Sequence, residues 1–237
     1  RDLPIRAGEL GIVHRHEMRG ALHGLFRVRC FTQDDAHLFV RPDQLTDEII
    51  GVVNLIDSVY QKFGFKYHVE LSTRAFYGPK IDFHLEDSLG RTWQCGTVQL
   101  DFQMPLNFDL EYTDHDGSKK RPIMLHRVCY GSIERFIGIL IEHFAGKFPT
   151  WLSPVQVKVL PVSEKSRDYA HQVASKLEEA GVRVVVDDRD EKIGYKIREA
   201  RGVDRVPYML ILGEKEAEEG NISVRDRSNE TVQKSIE

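Results

Sequence analysis

The sequence predicts an α+β body over residues 1–150, an antiparallel sheet with flanking helices, followed by a small α/β domain over residues 154–237. Three observations carry this. Strand-like runs in the first part are joined by turns, such as Leu89-Gly90, rather than by helices. Pro149 and Pro154 close the preceding apolar helix and open a new unit. After them, strands and helices alternate, which implies a largely parallel sheet.

Taken in order, 25–31, 36–40, 66–71, 80–85 and 92–102 have strand character. Residues 47–63 repeat apolar side chains at helical spacing and stop at Gly64, a residue suited to a left-handed helix end. Residues 132–144 read as a second helix, apolar on most faces and therefore expected to be buried. In the second part, 155–162, 182–187 and 206–212 are expected strands; 164–180, ending at Gly181, and 192–200 are expected helices.

The 237 residues are 41% hydrophobic and 30% charged, an ordinary globular balance. No stretch is apolar for long enough to cross a bilayer, and the first residues do not form a signal peptide, so no membrane partner is expected. Cys30, Cys95 and Cys129 are too few and too scattered for a disulfide framework; they read as thiols in a reducing, cytoplasmic setting. A net charge of −4 leaves room for a local basic surface and so does not exclude an RNA partner.

Three clusters carry chemistry. The first runs through His14-Arg15-His16-Glu17, Arg27-Val28-Arg29 and Gln33-Asp34-Asp35-Ala36-His37. Arginines flanking a loop can hold a triphosphate, because guanidinium forks match phosphate oxygens. Alone, the pattern equally fits a surface salt-bridge ladder. The polar run Thr32–Asp35, set where a strand core belongs, favours a ligand, since buried polar groups need partners.

In the second, Gly78-Pro79 forms a turn that can aim Tyr77 and Lys80 into a cleft. Alternation along 94–99 puts Cys95, Thr97 and Gln99 on one face and Gln94 on the other, a pattern that a half-exposed strand also gives. In the third, Ser132 can cap the helix that follows, and Arg135 sits in its first turn against the helix dipole. Arg135 should therefore answer to an anion, or to Glu134. His37 and His126 could share a zinc ion with a cysteine or carboxylate, although spacing alone does not bring them together.

In this order the clusters resemble the threonyl branch of the class II aminoacyl-tRNA synthetases. His14–His37 is similar to motif 2 and Gly131–Arg135 to motif 3, and Trp93-Gln94-Cys95-Gly96-Thr97-Val98-Gln99 has the threonyl form. The tail from Pro154 resembles the anticodon-binding domain of the threonyl, prolyl, histidyl and glycyl enzymes. The resemblance implies ligation of L-threonine to tRNA(Thr) with ATP through a threonyl-adenylate, by a homodimer. Arg15, Glu17, Arg27 and Arg135 would bind ATP, with Gln94 and Thr97 lining its site. Arg15, Arg27, Lys80 and Arg135 would neutralise its phosphates together with Mg²⁺. Asp35, Tyr77, Gln99 and Ser132 would contact threonine. His37 and His126 would be two of three protein ligands of a zinc that selects threonine, and Asp190, Glu216 and Arg225 would meet the anticodon. Asp190 fits least well, since an amide is common there.

The chain departs from that pattern in several places. It starts at motif 2, so motif 1, the cysteine that completes the zinc site and the serine-editing domains are expected to belong to a longer protein. A helical segment is missing at the junction of Arg74 and Ala75, and 200–204 fit the family poorly. An inactive, RNA-binding or regulatory relative is disfavoured, because such a protein would lose the ATP arginines or the histidines, and all are present. The run Asp34-Asp35-Ala36-His37 argues against a prolyl or histidyl enzyme. If the polypeptide works without an upstream cysteine, it should bind zinc weakly and activate threonine poorly; stoichiometric zinc in this polypeptide alone, by metal analysis, would contradict that.

Overall fold

The computed structural model describes residues 2–73 and 76–235. The missing-segment junction at Arg74 and Ala75 lies outside the described residues. Two compact units result, Arg1–His143 and Phe144–Glu237.

Unit 1 holds β1 (Ile5–His14), β2 (Cys30–Val40), α1 (Leu45–Phe63), β3 (Tyr67–Ser72), β4 (Lys80–Glu86), β5 (Thr92–Asp101), α2 (Gln103–Asn107), the hairpin β6 (Tyr112–Thr113) and β7 (Lys119–Lys120), β8 (Ile123–Val128) and α3 (Ile133–His143). Six strands form one sheet in the order β1-β2-β8-β5-β4-β3, every pair antiparallel. One face is closed by helices. α1 buries Val52, Ile56 and Tyr60, one residue per turn, and α3 buries Phe136, Ile139 and Leu140. Burying side chains of this size stabilises by roughly 1.5–3 kcal/mol each. α1 ends where expected, at Gly64 with φ 73°, whose N–H satisfies the carbonyls of Gln61 and Tyr60.

The structure corrects four local readings. Residues 25–29 are not strand; β2 starts at Cys30 and runs unbroken through the polar stretch to Val40. β1 and β8 went unread, because β1 has Gly8 and Gly11 in place of large apolar residues and β8 is broken by His126-Arg127. α3 is not buried all round, since Ile137 and Ile141 are 43% and 42% exposed. Strict alternation also fails in β5. Phe83 faces Gly96 while His84 faces Gln94, so Cys95 is an extra, bulged residue. Past the bulge Gln94 shares a face with Thr97, to which its amide donates at 2.8 Å.

Unit 2 contains β9 (Val157–Pro161), α4 (Arg167–Glu179), β10 (Val184–Val186), α5 (Ile193–Gly202), β11 (Tyr208–Leu212), α6 (Glu214–Glu219), β12 (Asn221–Asp226) and β13 (Thr231–Ser235). The sheet order is β10-β9-β11-β12-β13. Its first three strands are parallel, as the alternating pattern predicts, whereas β12 and β13 add an antiparallel edge. On one face α4 packs Ala170, Val173 and Ala174 against Val157, Val159, Leu210 and Leu212. On the other, Ala200 of α5 meets Leu160, Val206 and Met209. Among the described residues no helix is long and apolar enough to cross a membrane.

The turn between β4 and β5 depends on one carboxylate. Asp87, its side chain fully enclosed, accepts from the N–H groups of Leu89 and Arg91, the Arg91 guanidinium at 2.6 Å and the Trp93 indole at 2.8 Å. Burial alone would raise its pKa, but these donors bring it down to about 2. An unfolded Asp titrates near ~3.9, so folding favours the charged form and this stabilisation is lost as pH falls from about 4 through about 2. Asp87→Asn should cost about 1–3 kcal/mol in urea unfolding at neutral pH, and the difference from the unaltered protein should shrink towards pH 2.

Candidate active site

The open face of the unit 1 sheet carries a cleft of about 320 Å³. Its floor is a consequence of register. His37 on β2 pairs with His126 on β8, His126 with Gln99 on β5, and Gln99 with Lys80 on β4. Four residues scattered from 37 to 126 thus stand in one cross-strand row, spaced by the ~4.8 Å between strands. The adjoining row carries Val128, Thr97 and Asp82. From β2, the odd-numbered Phe31, Gln33 and Asp35 line the cleft.

The far wall comes from motif 3. Asp34, on the opposite face of β2 and only 7% exposed, accepts from the backbone N–H groups of Cys129 at 2.7 Å, Tyr130 at 3.1 Å and Gly131 at 2.9 Å. Burial pushes its pKa up, against these donors and the guanidinium of Arg127 at 3.7 Å. Gly131 sits at φ 70°, with Cys95 O only 2.5 Å from where a Cβ would stand, so no other residue passes there. The Ser132 hydroxyl accepts from Arg135 N at 3.3 Å and caps α3 as expected. Glu134 does not pair with Arg135; its carboxylate accepts from Thr32 N at 2.9 Å and ties α3 to β2.

Arg135 is left facing the cleft without a carboxylate. It donates to Phe26 O at 2.8 Å and Gln94 O at 2.9 Å and lies over the Trp93 ring at 5.3 Å. Burial lowers its pKa, and the charges of Arg15 and Arg27 add to the effect. Arg15 lies 5.1 Å from the centre of Phe31, and Arg27 pairs with Glu17 at 3.0 Å. Arg15 and Arg135 have no carboxylate partner among the described residues, so their charges favour an anion in the cleft.

Arg15, Glu17, Arg27, Asp35, Tyr77, Gln94, Thr97, Gln99, His126, Ser132 and Arg135 all line this one cleft. His37 adjoins it, ring to ring with His126 at 4.7 Å. Lys80 stands at its edge, paired with Asp82 at 2.5 Å. The three residues expected to meet an anticodon are not gathered in this way. Asp190 is exposed after β10, Glu216 accepts from Gly213 N at the start of α6, and Arg225 on β12 donates to Thr231 near the other end of β11.

Sequence reasoning missed the supports. Asp82, 4% exposed, accepts from Gln94 at 2.8 Å and Thr97 at 2.9 Å besides Lys80. Asp101, fully buried, accepts from His126 at 2.7 Å and from the N–H groups of Gln103 and Met104. An acid two places after Lys80 on one strand face was the available sign of Asp82; nothing local marks Asp101.

Two imidazoles facing each other across paired strands, one oriented by a buried carboxylate, are the donor chemistry that zinc takes. Asp35 lies 4.0 Å from His37. Cys95 is not placed as a further ligand: it is the buried, bulged residue of β5 and joins no metal-holding group among the described residues. Among the described residues no group of three or more such side chains is arranged to hold a metal, so His37 and His126 fit as part of a site.

Comparison with known proteins bears on this geometry. Residues 1–144 match the tRNA synthetase class II core domain (G, H, P, S and T), and 156–237 match an anticodon binding domain. The chain is 60% identical over 265 aligned residues to a threonine–tRNA ligase of Caldanaerobacter subterraneus subsp. tengcongensis, covering 97% of this chain and 41% of that protein. It thus spans well under half the length of the curated relatives it matches. The RNA binding domain of threonyl-tRNA synthetase from Cryptosporidium parvum superposes with a TM-score of 0.93 at 37% identity, over 99% of this chain and 68% of that one. Prolyl-tRNA synthetase of the same organism, at 22% identity and TM-score 0.78 over 99% of this chain and 54% of that one, shares the fold.

Asp34→Ala should remove three backbone acceptor contacts at once and leave the 129–131 turn unsupported. The expected loss is about 3 kcal/mol in urea unfolding.

Proposed function

The chain belongs to the threonyl branch of the class II tRNA synthetases, and we propose that it is the part of such an enzyme that activates threonine with ATP and receives the anticodon of its tRNA. The observation that carries this reading is the convergence of Arg15, Arg27 and Arg135 on one cleft whose floor is the row His37, His126, Gln99 and Lys80.

Threonine lies over that floor. Its carboxylate attacks the α-phosphorus of ATP, forming the carboxyl–phosphate bond of threonyl-adenylate as pyrophosphate leaves. The ribose hydroxyl at the tRNA end then attacks the activated carbonyl; the carbonyl–phosphate bond breaks and AMP leaves, its phosphate taking the hydroxyl proton. Arg15 and Arg27 hold the phosphates and Arg135 the far end of the nucleotide, in a cleft that Phe31 also lines. Lys80, held by Asp82, adds positive charge beside the leaving pyrophosphate. Asp35 faces the amino group of threonine, and Tyr77 and Gln99 fix its position. None of these groups takes a proton in a difficult step; the catalysis is positioning and charge neutralisation.

His37 and His126 would hold zinc together with further ligands, and when bound the metal supplies open positions for the amino and hydroxyl groups of threonine. Mg²⁺ would accompany ATP. A site that reads the hydroxyl rejects valine strongly but serine weakly, since serine keeps the group that is read.

In the intact protein, ATP–pyrophosphate exchange should be strong with threonine, weaker with serine and absent with valine, and Arg135→Ala should lower it about 100-fold. No exchange with any of the three amino acids would point instead to an inactive RNA-binding relative.

A further inference from the structure

We infer that unit 2 carries a phosphate site formed by Lys147, Arg198, Arg201, Arg205 and Arg227, and that its occupant is the sugar-phosphate backbone of the bound tRNA. This rests on the reading of the chain as a tRNA enzyme. The five side chains, with Ala145 and Gly202, line a cavity of about 500 Å³ that no carboxylate enters. Two acids of the same stretch of chain are engaged elsewhere: Glu199 pairs with Arg189, and Asp204 with Lys158 at 2.5 Å.

The site is built rather than incidental. Half-buried Arg227 donates to Phe148 O at 2.6 Å, Lys147 O at 3.1 Å and Arg205 O at 2.6 Å, so one guanidinium ties together the 147–148 segment and the loop at Arg205. Arg205 adopts a left-handed backbone, φ 53°, and donates to Ala145 O. For a residue with a Cβ that conformation is unfavourable and persists only where the surroundings impose it. Arg201 is anchored on Asn229 at 2.5 Å. The exposed Arg198 and Lys147 have no side-chain partner among the described residues. Cations left unpaired around a framed cavity are set for an oxyanion.

The lining also selects the source. It offers no aromatic ring or large aliphatic side chain against which a base could pack, which favours the phosphate backbone over the bases. Exposed guanidiniums on an open cavity suit a chain of phosphates better than one enclosed ion. Arg198 and Arg201 come from the end of α5, Arg205 from the loop before β11, Lys147 from the segment before β9 and Arg227 from just after β12. Arg201 and Gly202 fall in 200–204, the stretch that departs from the family pattern, whereas Asp190 and Glu216 follow the opposite ends of β10 and β11.

The test is tRNA binding by the intact protein across a salt series. Arg198→Ala with Arg201→Ala should weaken binding about tenfold at ~0.15 M salt and reduce the slope of log K against log salt by about 2. Threonine-dependent pyrophosphate exchange, measured without tRNA, should be unchanged. Lysine at both positions should restore the slope, since the charges return. A double alanine variant that binds tRNA with unaltered affinity and slope would overturn the inference. So would one that loses only the binding of inorganic pyrophosphate, which would assign the cavity to a free anion. Failure of the unaltered protein to bind tRNA would instead remove the tRNA reading, and this inference with it.

Discussion

The Asp34 carboxylate is the interaction on which the cleft depends. It belongs to a strand in the middle of a sheet, yet it is spent on three consecutive N–H groups of a turn that begins 95 residues later in the chain. Those groups follow the end of β8 and precede α3, so they would otherwise be buried without acceptors. By collecting them, Asp34 fixes where α3 starts, and therefore where Ser132 and Arg135 stand. Glu134 repeats the arrangement in reverse, reaching from α3 back to Thr32. Asp34 and Glu134 are thus the fastening between the floor of the site and its wall.

How much of this was legible follows from which interactions are local. The end of α1 at Gly64, the Ser132 cap and the strand–helix alternation of unit 2 are written in residues a few places apart, and all three appear in the structure. The polar run 32–35 signalled a ligand-facing strand because its burial is otherwise unfavourable. What the sequence concealed are long-range pairings. Nothing in the neighbourhood of His37 says that His126 is its cross-strand partner, and the resemblance to a family, not the spacing, linked them. The bulge at Cys95 is a similar case: a period of two in the sequence gives the wrong face for Gln94, because one residue does not count in the ladder.

A common electrostatic design links the two units, each considered by itself. In unit 1, Glu134 is drawn to a backbone amide, so Arg15 and Arg135 face the cleft with no carboxylate partner among the described residues, while Arg27 and Lys80 keep Glu17 and Asp82. In unit 2, Glu199 and Asp204 are likewise committed to Arg189 and Lys158, leaving the cavity at the end of α5 purely basic. A chain with net charge −4 can in this way present concentrated positive potential where a polyanion is to be bound.

The row His37, His126, Gln99 and Lys80 has a kinetic consequence. Each member is contributed by a different strand, and the β2–β8 pairing closes a loop of most of unit 1. Contacts this distant in sequence form late, after their loop-closure entropy has been met. No partly folded form lacking that pairing can therefore present the cleft. Any small molecule that occupies it binds only the fully assembled unit and, by mass action, protects the whole of unit 1 against unfolding rather than one corner of it.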